Sequence, residues 1–199
     1  KLRKKSHILL GRYLADQMSE VYSLQQHRKA FCLGNIMPDL KPSFLTTRHE
    51  FFGTFNQLQS NMRELVERSP EEDNARVYWR RFGEVMHYMA DYFTFPHNRT
   101  YKGSLAEHNS YEAELKNRLK ECILSGRADS QLEEAKHFDS FEELVEYIRE
   151  RHTCYLESPR CIADDIRFIL RVCYQVVQGI FQLCMKRQLH MEEQPLMVG

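Results

Sequence analysis

The stretch HYMADYFTFPHN, residues 87–98, places groups that can bind a metal among bulky aromatic side chains. His87 and Asp91 are four residues apart, so on a helix both side chains project from one face. An unpaired carboxylate in an apolar interior is unfavourable, and buried imidazoles also need partners. Pro96 disfavours helical backbone in the residue before it, so the helix should end near Phe93, with His97 in the loop that follows. The stretch therefore predicts a helix whose last turns carry metal ligands.

Nearly all of the chain shows helical periodicity, and no alternating strand pattern competes with it. Serine followed three residues later by glutamate, a capping box, marks three helix starts at Ser69, Ser104 and Ser140. Residues 35–49 hold two prolines and are predicted to be mostly loop. The predicted helices span residues 6–24, 53–68, 69–93, 104–124 and 140–154, with a last long helix that starts at Ser158 and Pro159. The sequence predicts an all-α fold in a single domain over residues 1–199.

Composition bounds the class of protein. A length of 199 residues suits one domain, and 28 basic residues balance 28 acidic ones. That neutrality gives no reason to expect a nucleic-acid partner held by a basic patch. The apolar run after the N-terminal KLRKK is too short for a signal peptide, and four charged residues between Asp164 and Arg171 interrupt the best membrane-spanning candidate. We therefore expect no transmembrane segment and a cytoplasmic location.

The six cysteines form no CxxC pair, and several fall on apolar stripes of predicted helices. They are interpreted as reduced residues of the core. Four histidines have no paired carboxylate pattern and are predicted to lie on the surface: His27, His137, His152 and His190.

A second pair, His108 and Glu112, repeats the four-residue spacing on the helix after Ser104, so two helices can converge on metal ions between them. The candidate ligands are His7, Asp39, His49, His87, Asp91, His97, His108 and Glu112. Neutral imidazole with carboxylate suits zinc, whereas calcium or magnesium would call for oxygen ligands alone. Iron or manganese is the second choice, because di-iron carboxylate bundles use more glutamate and a Glu-x-x-His signature.

The ordered set of motifs resembles the bacterial zinc-dependent phospholipase C family over about residues 6–115. The motifs that carry the resemblance are His7, ProAsp at 38–39, His49, HYMAD at 87–91, ProHis at 96–97 and HNSYE at 108–112. That family includes phosphatidylcholine-hydrolysing phospholipase C and the catalytic domain of clostridial alpha-toxin, and it is similar to the S1/P1 nucleases. The resemblance implies a helical bundle of the zinc-dependent phospholipase C and P1 nuclease type that binds three zinc ions in a cleft.

The resemblance also implies which residues share an ion. The first zinc would be held by Asp39, His49, His87 and Asp91. The second would be held by His97, His108 and Glu112, and the third in part by His7 and a bridging Asp91. Family members complete the third site with an N-terminal tryptophan, whereas the only tryptophan of this chain is Trp79. Two or three zinc ions are therefore expected.

The activity that the resemblance implies is that of a metal-dependent phosphoric ester hydrolase. Zinc-activated water would attack a phosphodiester, with Asp39 as ligand and general base, and the substrate would be a phospholipid or a small phosphodiester. A nuclease or nucleotidase is one alternative, with Tyr88, Tyr92 or Tyr111 as a base-stacking wall. A domain that binds metal without catalysis is another.

Overall fold

The computed structural model describes residues 4–40, 50–72, 74–98, 101–159 and 161–193. Within these ranges the chain forms helices and short 3-10 turns, with no strand. The α-helices are α1 (Lys4–Gln17), α2 (Tyr22–Gln26), α3 (Arg28–Gly34), α4 (Phe51–Glu67), α5 (Ala75–Tyr92), α6 (Leu105–Leu124), α7 (Phe141–Glu157) and α8 (Ile162–Glu193). The 3-10 turns span Met37–Asp39, Phe95–His97 and Asp129–Gln131. The prediction of an all-α fold is confirmed.

Helix α8 forms the centre of the bundle and packs against α1, α4, α5, α6 and α7. Its apolar side chains recur at helical spacing, and Ile169, Cys173, Val176 and Ile180 are fully buried. On α5, the rings of Trp79 and Phe82 stack with centroids 5.5 Å apart. Helix α5 therefore presents its aromatic face to the core, and its last turns extend to the ligand residues.

Residues Ile162–Met191 of α8 are long and apolar enough to cross a membrane, by length and composition alone. The charged residues from Asp164 to Arg171 cluster near the start of α8 and leave a long apolar stretch beyond them. Of the most apolar window, 61% is buried inside the protein. This degree of burial is what the central helix of a bundle shows.

Helices α3 and α5 cross with their backbones in contact at two glycines. A Cβ at Gly83 would lie 2.9 Å from Gly34 Cα and would collide with the carbonyl oxygen of Phe31. A Cβ at Gly34 would collide in turn with the carbonyl oxygen of Arg80. Both positions therefore require glycine, and the close crossing places the end of α3 beside the turn of α5 that carries the ligands.

The predicted helix over residues 6–24 is too long. Helix α1 ends at Gln17, and two short helices, α2 and α3, follow it. The side-chain amide of Gln25 donates to the carbonyl oxygens of Ala15 and Met18, at 2.9 and 3.0 Å. The same two carbonyls accept from the backbone N–H groups of Met18 and Val21, at 3.3 and 3.0 Å, so the carbonyls at this turn have partners outside a helix. The chain can therefore turn at this point although its apolar periodicity continues.

The capping box at Ser69 is present but does not start the helix. The backbone N–H of Ser69 donates to Glu72, and that of Glu72 donates to Ser69 Oγ, at 2.9 and 3.2 Å. Helix α5 begins later, at Ala75, where the side chain of Asn74 accepts from Val77 N. The box at Ser104 is complete and starts α6 as predicted. The capping box therefore forms a turn at both Ser69 and Ser104, but a helix follows directly only at Ser104.

The last two predicted boundaries also shift by about a turn. Ser140 caps α7 by accepting from Glu143 N, but α7 continues to Glu157 instead of ending near Cys154. Helix α8 begins at Ile162, after the predicted start at Ser158 and Pro159. Of the predicted loop at 35–49, the described part forms the turn Met37–Asp39, and residues 41–49 lie outside the described ranges.

Two predictions about single residue types need correction. His152 is buried, not exposed, and its ring stacks on Phe51 with centroids 3.9 Å apart. Burial lowers the pKa of His152 to about 4, so the ring is neutral at pH 7. All six cysteines are free thiols, but Cys154 and Cys161 are exposed and do not belong to the core. In both cases the sequence shows periodicity, but not which neighbours cover a given face.

Candidate metal centre

The first ligand group joins three separate elements in the interior of the bundle. His7 comes from α1, Asp39 from the 3-10 turn after α3, and His87 from α5. One ligand atom from each lies within 4.8 Å of the others, and all three residues are buried. His87 Nε2 is 3.3 Å from Asp39 Oδ1. The rings of His7 and His87 stack with centroids 3.9 Å apart. The group offers two imidazole nitrogens and one carboxylate.

The second ligand group is formed by the turn after α5 and the first turns of α6. His97, His108 and Glu112 again have ligand atoms within 4.8 Å of one another. Glu112 Oε1 lies 3.4 Å from His97 Nε2 and 3.1 Å from His108 Nε2. The capping box at Ser104 fixes where α6 begins, so it also sets which face of α6 carries His108 and Glu112.

Asp91 lies between the two groups. Its Oδ1 is 3.3 Å from His7 Nε2, and its Oδ2 is 3.4 Å from His87 Nε2. The same Oδ2 is 3.6 Å from Nδ1 of His97. The side chain of Asp91 is fully buried. One carboxylate therefore contacts imidazoles from both groups, which is the arrangement of a bridging ligand.

The backbone at Asn35 orients His87. His87 Nδ1 lies 2.9 Å from the carbonyl oxygen of Asn35, which can only accept a hydrogen bond. Nδ1 is therefore the protonated nitrogen, and the lone pair of Nε2 points toward Asp39 and Asp91. Because Asn35 follows Gly34, the close crossing of α3 and α5 brings this carbonyl to the ring. Sequence reasoning missed Asn35 as a functional residue.

Burial keeps three imidazoles of the centre neutral. Desolvation lowers the pKa of His7 from 6.5 to about 4. Desolvation likewise lowers the pKa of His108 to about 4 and that of His97 well below its usual value. Neutral imidazole is the form that binds metals, so these side chains have a free lone pair at pH 7.

Most distances between the ligand atoms are long for direct hydrogen bonds and match the separation of atoms that share one metal ion. The nitrogen-to-oxygen distances around Asp39, Asp91 and Glu112 run from 3.1 to 3.6 Å. Atoms bound about 2.0–2.2 Å from one tetrahedral zinc lie roughly 3.3–3.6 Å apart. In fully buried His7, Nδ1 has no hydrogen-bond partner among the described residues, and Nε2 faces Asp91 Oδ1 at 3.3 Å. A buried polar group in that state is unfavourable unless something else binds it. The donor set and its spacing therefore fit zinc.

The structure brings seven of the eight predicted ligands together: His7, Asp39, His87, Asp91, His97, His108 and Glu112. The eighth, His49, lies outside the described residues. The grouping differs from the one that the resemblance implies, because His7 joins Asp39 and His87. The described residues thus form two groups with Asp91 between them. Their assignment as ligands remains a prediction.

The fold is thus a helical bundle with one buried and one partly buried group of imidazole and carboxylate side chains, a donor set that suits zinc. Comparison with known protein families gives the family. The model of the family described as zinc dependent phospholipase C matches residues 6–162, and the chain belongs to that family. Neither a search of curated proteins nor a search of solved structures finds a significant match.

Proposed function

We propose that this protein is a zinc-dependent phosphoric ester hydrolase of the phospholipase C type, with a phospholipid or a small phosphodiester as substrate. The observation that supports it most directly is the convergence of seven imidazole and carboxylate side chains with the spacing of zinc ligands. Membership of the zinc dependent phospholipase C family supports the reaction class. On this proposal the centre holds two or three ions.

The residues divide between two neighbouring ions. His7, Asp39 and His87 would hold one, and His97, His108 and Glu112 the other, with Asp91 shared between them. Zinc held there would lower the pKa of a water molecule and offset the negative charge of the phosphate.

Asp39 is the residue that we assign as general base. Its carboxylate lies at the edge of the first group, with Oδ1 facing His87 Nε2 at 3.3 Å. It would accept a proton from the attacking water as the new bond from oxygen to phosphorus forms and the bond to the leaving oxygen breaks. The leaving oxygen would take up a proton from solvent water. Because Asn35 holds the ring of His87, the carboxylate of Asp39 faces a fixed neighbour while it takes up the proton.

Solvent reaches the centre from the side of α6. The side chain of His108 is 25% exposed, whereas those of His7 and Asp91 are fully buried. A ligand that retains contact with solvent gives water a route to the metal, which suits a catalytic site that keeps one coordination position open. This exposure favours catalysis over the alternative of a metal-binding domain without activity.

The nuclease alternative needs Tyr88, Tyr92 or Tyr111 to stack on a base, and these side chains make other contacts in the structure. Tyr92 is 1% exposed, and its hydroxyl lies 2.8 Å from Thr54 Oγ1. The hydroxyl of Tyr111 donates to Asp165 at 2.9 Å. Tyr88 is half-buried, and its ring lies edge-on to that of His87, with centroids 5.5 Å apart. The phospholipase C type of activity is therefore the better supported of the two.

The test is hydrolysis of a short-chain phosphatidylcholine, kept below its micelle concentration, by metal-stripped protein before and after addition of zinc. We expect phosphocholine release only with zinc. Glu112→Gln should lower the rate by at least about 100-fold, because it removes a charged ligand. Glu114→Gln is the matched control, since Glu114 lies on the same helix, is 54% exposed and pairs with Arg118. Its rate should equal that of the wild type.

The same zinc-loaded protein is assayed on bis(p-nitrophenyl) phosphate and on a single-stranded oligonucleotide. Release of nitrophenol with no cleavage of the phosphatidylcholine would restrict the substrate to small phosphodiesters. Cleavage of the oligonucleotide alone would favour the nuclease. A zinc-loaded protein that hydrolyses none of the three would contradict the proposed function.

A further inference from the structure

Asp165 is a buried carboxylate outside both ligand groups. It lies on the first turn of α8 and is 0% exposed. Its Oδ1 accepts from the hydroxyl of Tyr155 at 2.6 Å. Its Oδ2 accepts from the hydroxyl of Tyr111 and from the backbone N–H of Phe95, both at 2.9 Å. A single side chain thus joins α6, α7, α8 and the turn after α5.

Two of these three donors stand beside residues of the second ligand group. Phe95 opens the 3-10 turn that carries His97. Tyr111 is the neighbour of Glu112 on α6 and lies one turn after His108. The rings of Phe95 and Tyr111 also touch, with centroids 6.0 Å apart. Asp165 therefore fastens together the two elements from which His97, His108 and Glu112 project.

Burying a carboxylate to join helices carries a desolvation penalty. Burial raises the pKa of Asp165 to about 6, although three donors act to lower it. An apolar side chain at this position would avoid that desolvation penalty but could not accept from the Phe95 N–H. Every residue except proline at position 95 would carry the same backbone N–H, so this donor needs an acceptor whatever the side chain is. The carboxylate is thus suited to fixing the backbone of the turn.

We propose that Asp165 is a positioning residue for the second ligand group: through Phe95 and Tyr111 it holds His97, His108 and Glu112 at the separation that a zinc ion requires. The inference rests on the proposed zinc centre. It adds a residue of α8 that lies beyond the matched span 6–162. Groups that orient metal ligands change metal affinity by about 10–100-fold when they are removed.

Two tyrosine variants separate positioning from simple stability. Tyr111→Phe and Tyr155→Phe each delete one hydroxyl that donates to Asp165. Tyr111 lies on the ligand-bearing helix α6, whereas α7, which carries Tyr155, supplies none of the ligand residues that the structure places in the centre. Both variants should lower the free energy of unfolding of the metal-free protein by a similar amount. Only Tyr111→Phe should also weaken zinc binding, by about tenfold.

Zinc affinity is measured on the metal-stripped full chain by competition with a chromogenic chelator, and stability is measured by urea unfolding. Asp165→Asn should weaken one zinc site by about 10–100-fold, because an amide cannot accept from all three donors. The affected ion is the one that Glu112→Gln abolishes. Adding Tyr111→Phe to Glu112→Gln should therefore change the affinity of the remaining ion by less than about twofold.

The possible results distinguish this inference from the proposed function. If Tyr111→Phe and Tyr155→Phe lower the stability by the same amount and both bind zinc as tightly as the wild type, Asp165 only stabilises the fold and the inference is overturned. If the weakened ion is the one that survives Glu112→Gln, Asp165 does not act on the second group. If the wild-type protein takes up no zinc, the inference and the proposed function both fail.

Discussion

Asp91→Asn is expected to abolish the activity and to weaken the binding of both ions, because the two ligand groups share Asp91. Asp91 lies 3.3–3.6 Å from imidazole nitrogens of His7, His87 and His97. An asparagine has the same shape but one oxygen and no charge, so it cannot bridge two cations. Loss of about 4 kcal/mol of transition-state stabilisation corresponds to a rate about 1,000-fold lower. Phosphocholine release and bound zinc, measured on the same sample, check this prediction.

The metal-free Asp91→Asn protein should be no less stable to urea than the metal-free wild type. A fully buried carboxylate without a cation is unfavourable, so removing its charge relieves a desolvation penalty. Addition of zinc should then stabilise the wild type far more than the variant. Asp129→Asn is the control, because Asp129 accepts bonds from Tyr13 and Gln17 away from the centre. Wild-type activity in Asp91→Asn would contradict the bridging role.

Gly83→Ala should produce a large loss of stability. The new methyl group would collide with the carbonyl oxygen of Phe31 and lie 2.9 Å from Gly34 Cα, so α3 and α5 must move apart. We expect a loss of about 3 kcal/mol in the free energy of unfolding and a fall of roughly 10 °C in Tm. The separation also draws His87 away from the Asn35 carbonyl, so zinc affinity should fall with stability.

Gly53→Ala is the matched control for that substitution. Gly53 is exposed on α4, and a Cβ there would meet the side chain of Glu50 at 3.5 Å, an ordinary contact. Alanine favours helix over glycine by about 1 kcal/mol, so this variant should be slightly more stable than the wild type. Urea unfolding of both variants compares the two positions directly. A Gly83→Ala protein as stable as the wild type would show that the helices do not cross as closely as described.

The features that the sequence predicts well are local ones. His87 and Asp91 share a helix face because the i and i+4 positions of any helix do, and α5 ends as Pro96 requires. The capping box at Ser104 predicts the start of α6, and so the face that presents Glu112. Pattern and order alone therefore identify most members of the centre.

The features that the sequence does not predict depend on tertiary contacts. Nothing local shows that Gln25 will cap α1, or that Ser69 will close a turn without starting a helix. Burial of His152 depends on Phe51 and other rings from distant parts of the chain. The network around Asp165 joins side chains more than 50 residues apart along the chain, a distance over which periodicity carries no information.

The measurement that tests the zinc centre most directly is elemental analysis of the dialysed wild-type protein, with zinc, iron and manganese counted per chain. Two ligand groups that share Asp91 predict at least two zinc ions for each chain. The same count on the Asp91→Asn protein should fall below one. A wild-type chain that holds no metal, and takes up none when zinc is added, would contradict the metal centre and with it the hydrolase.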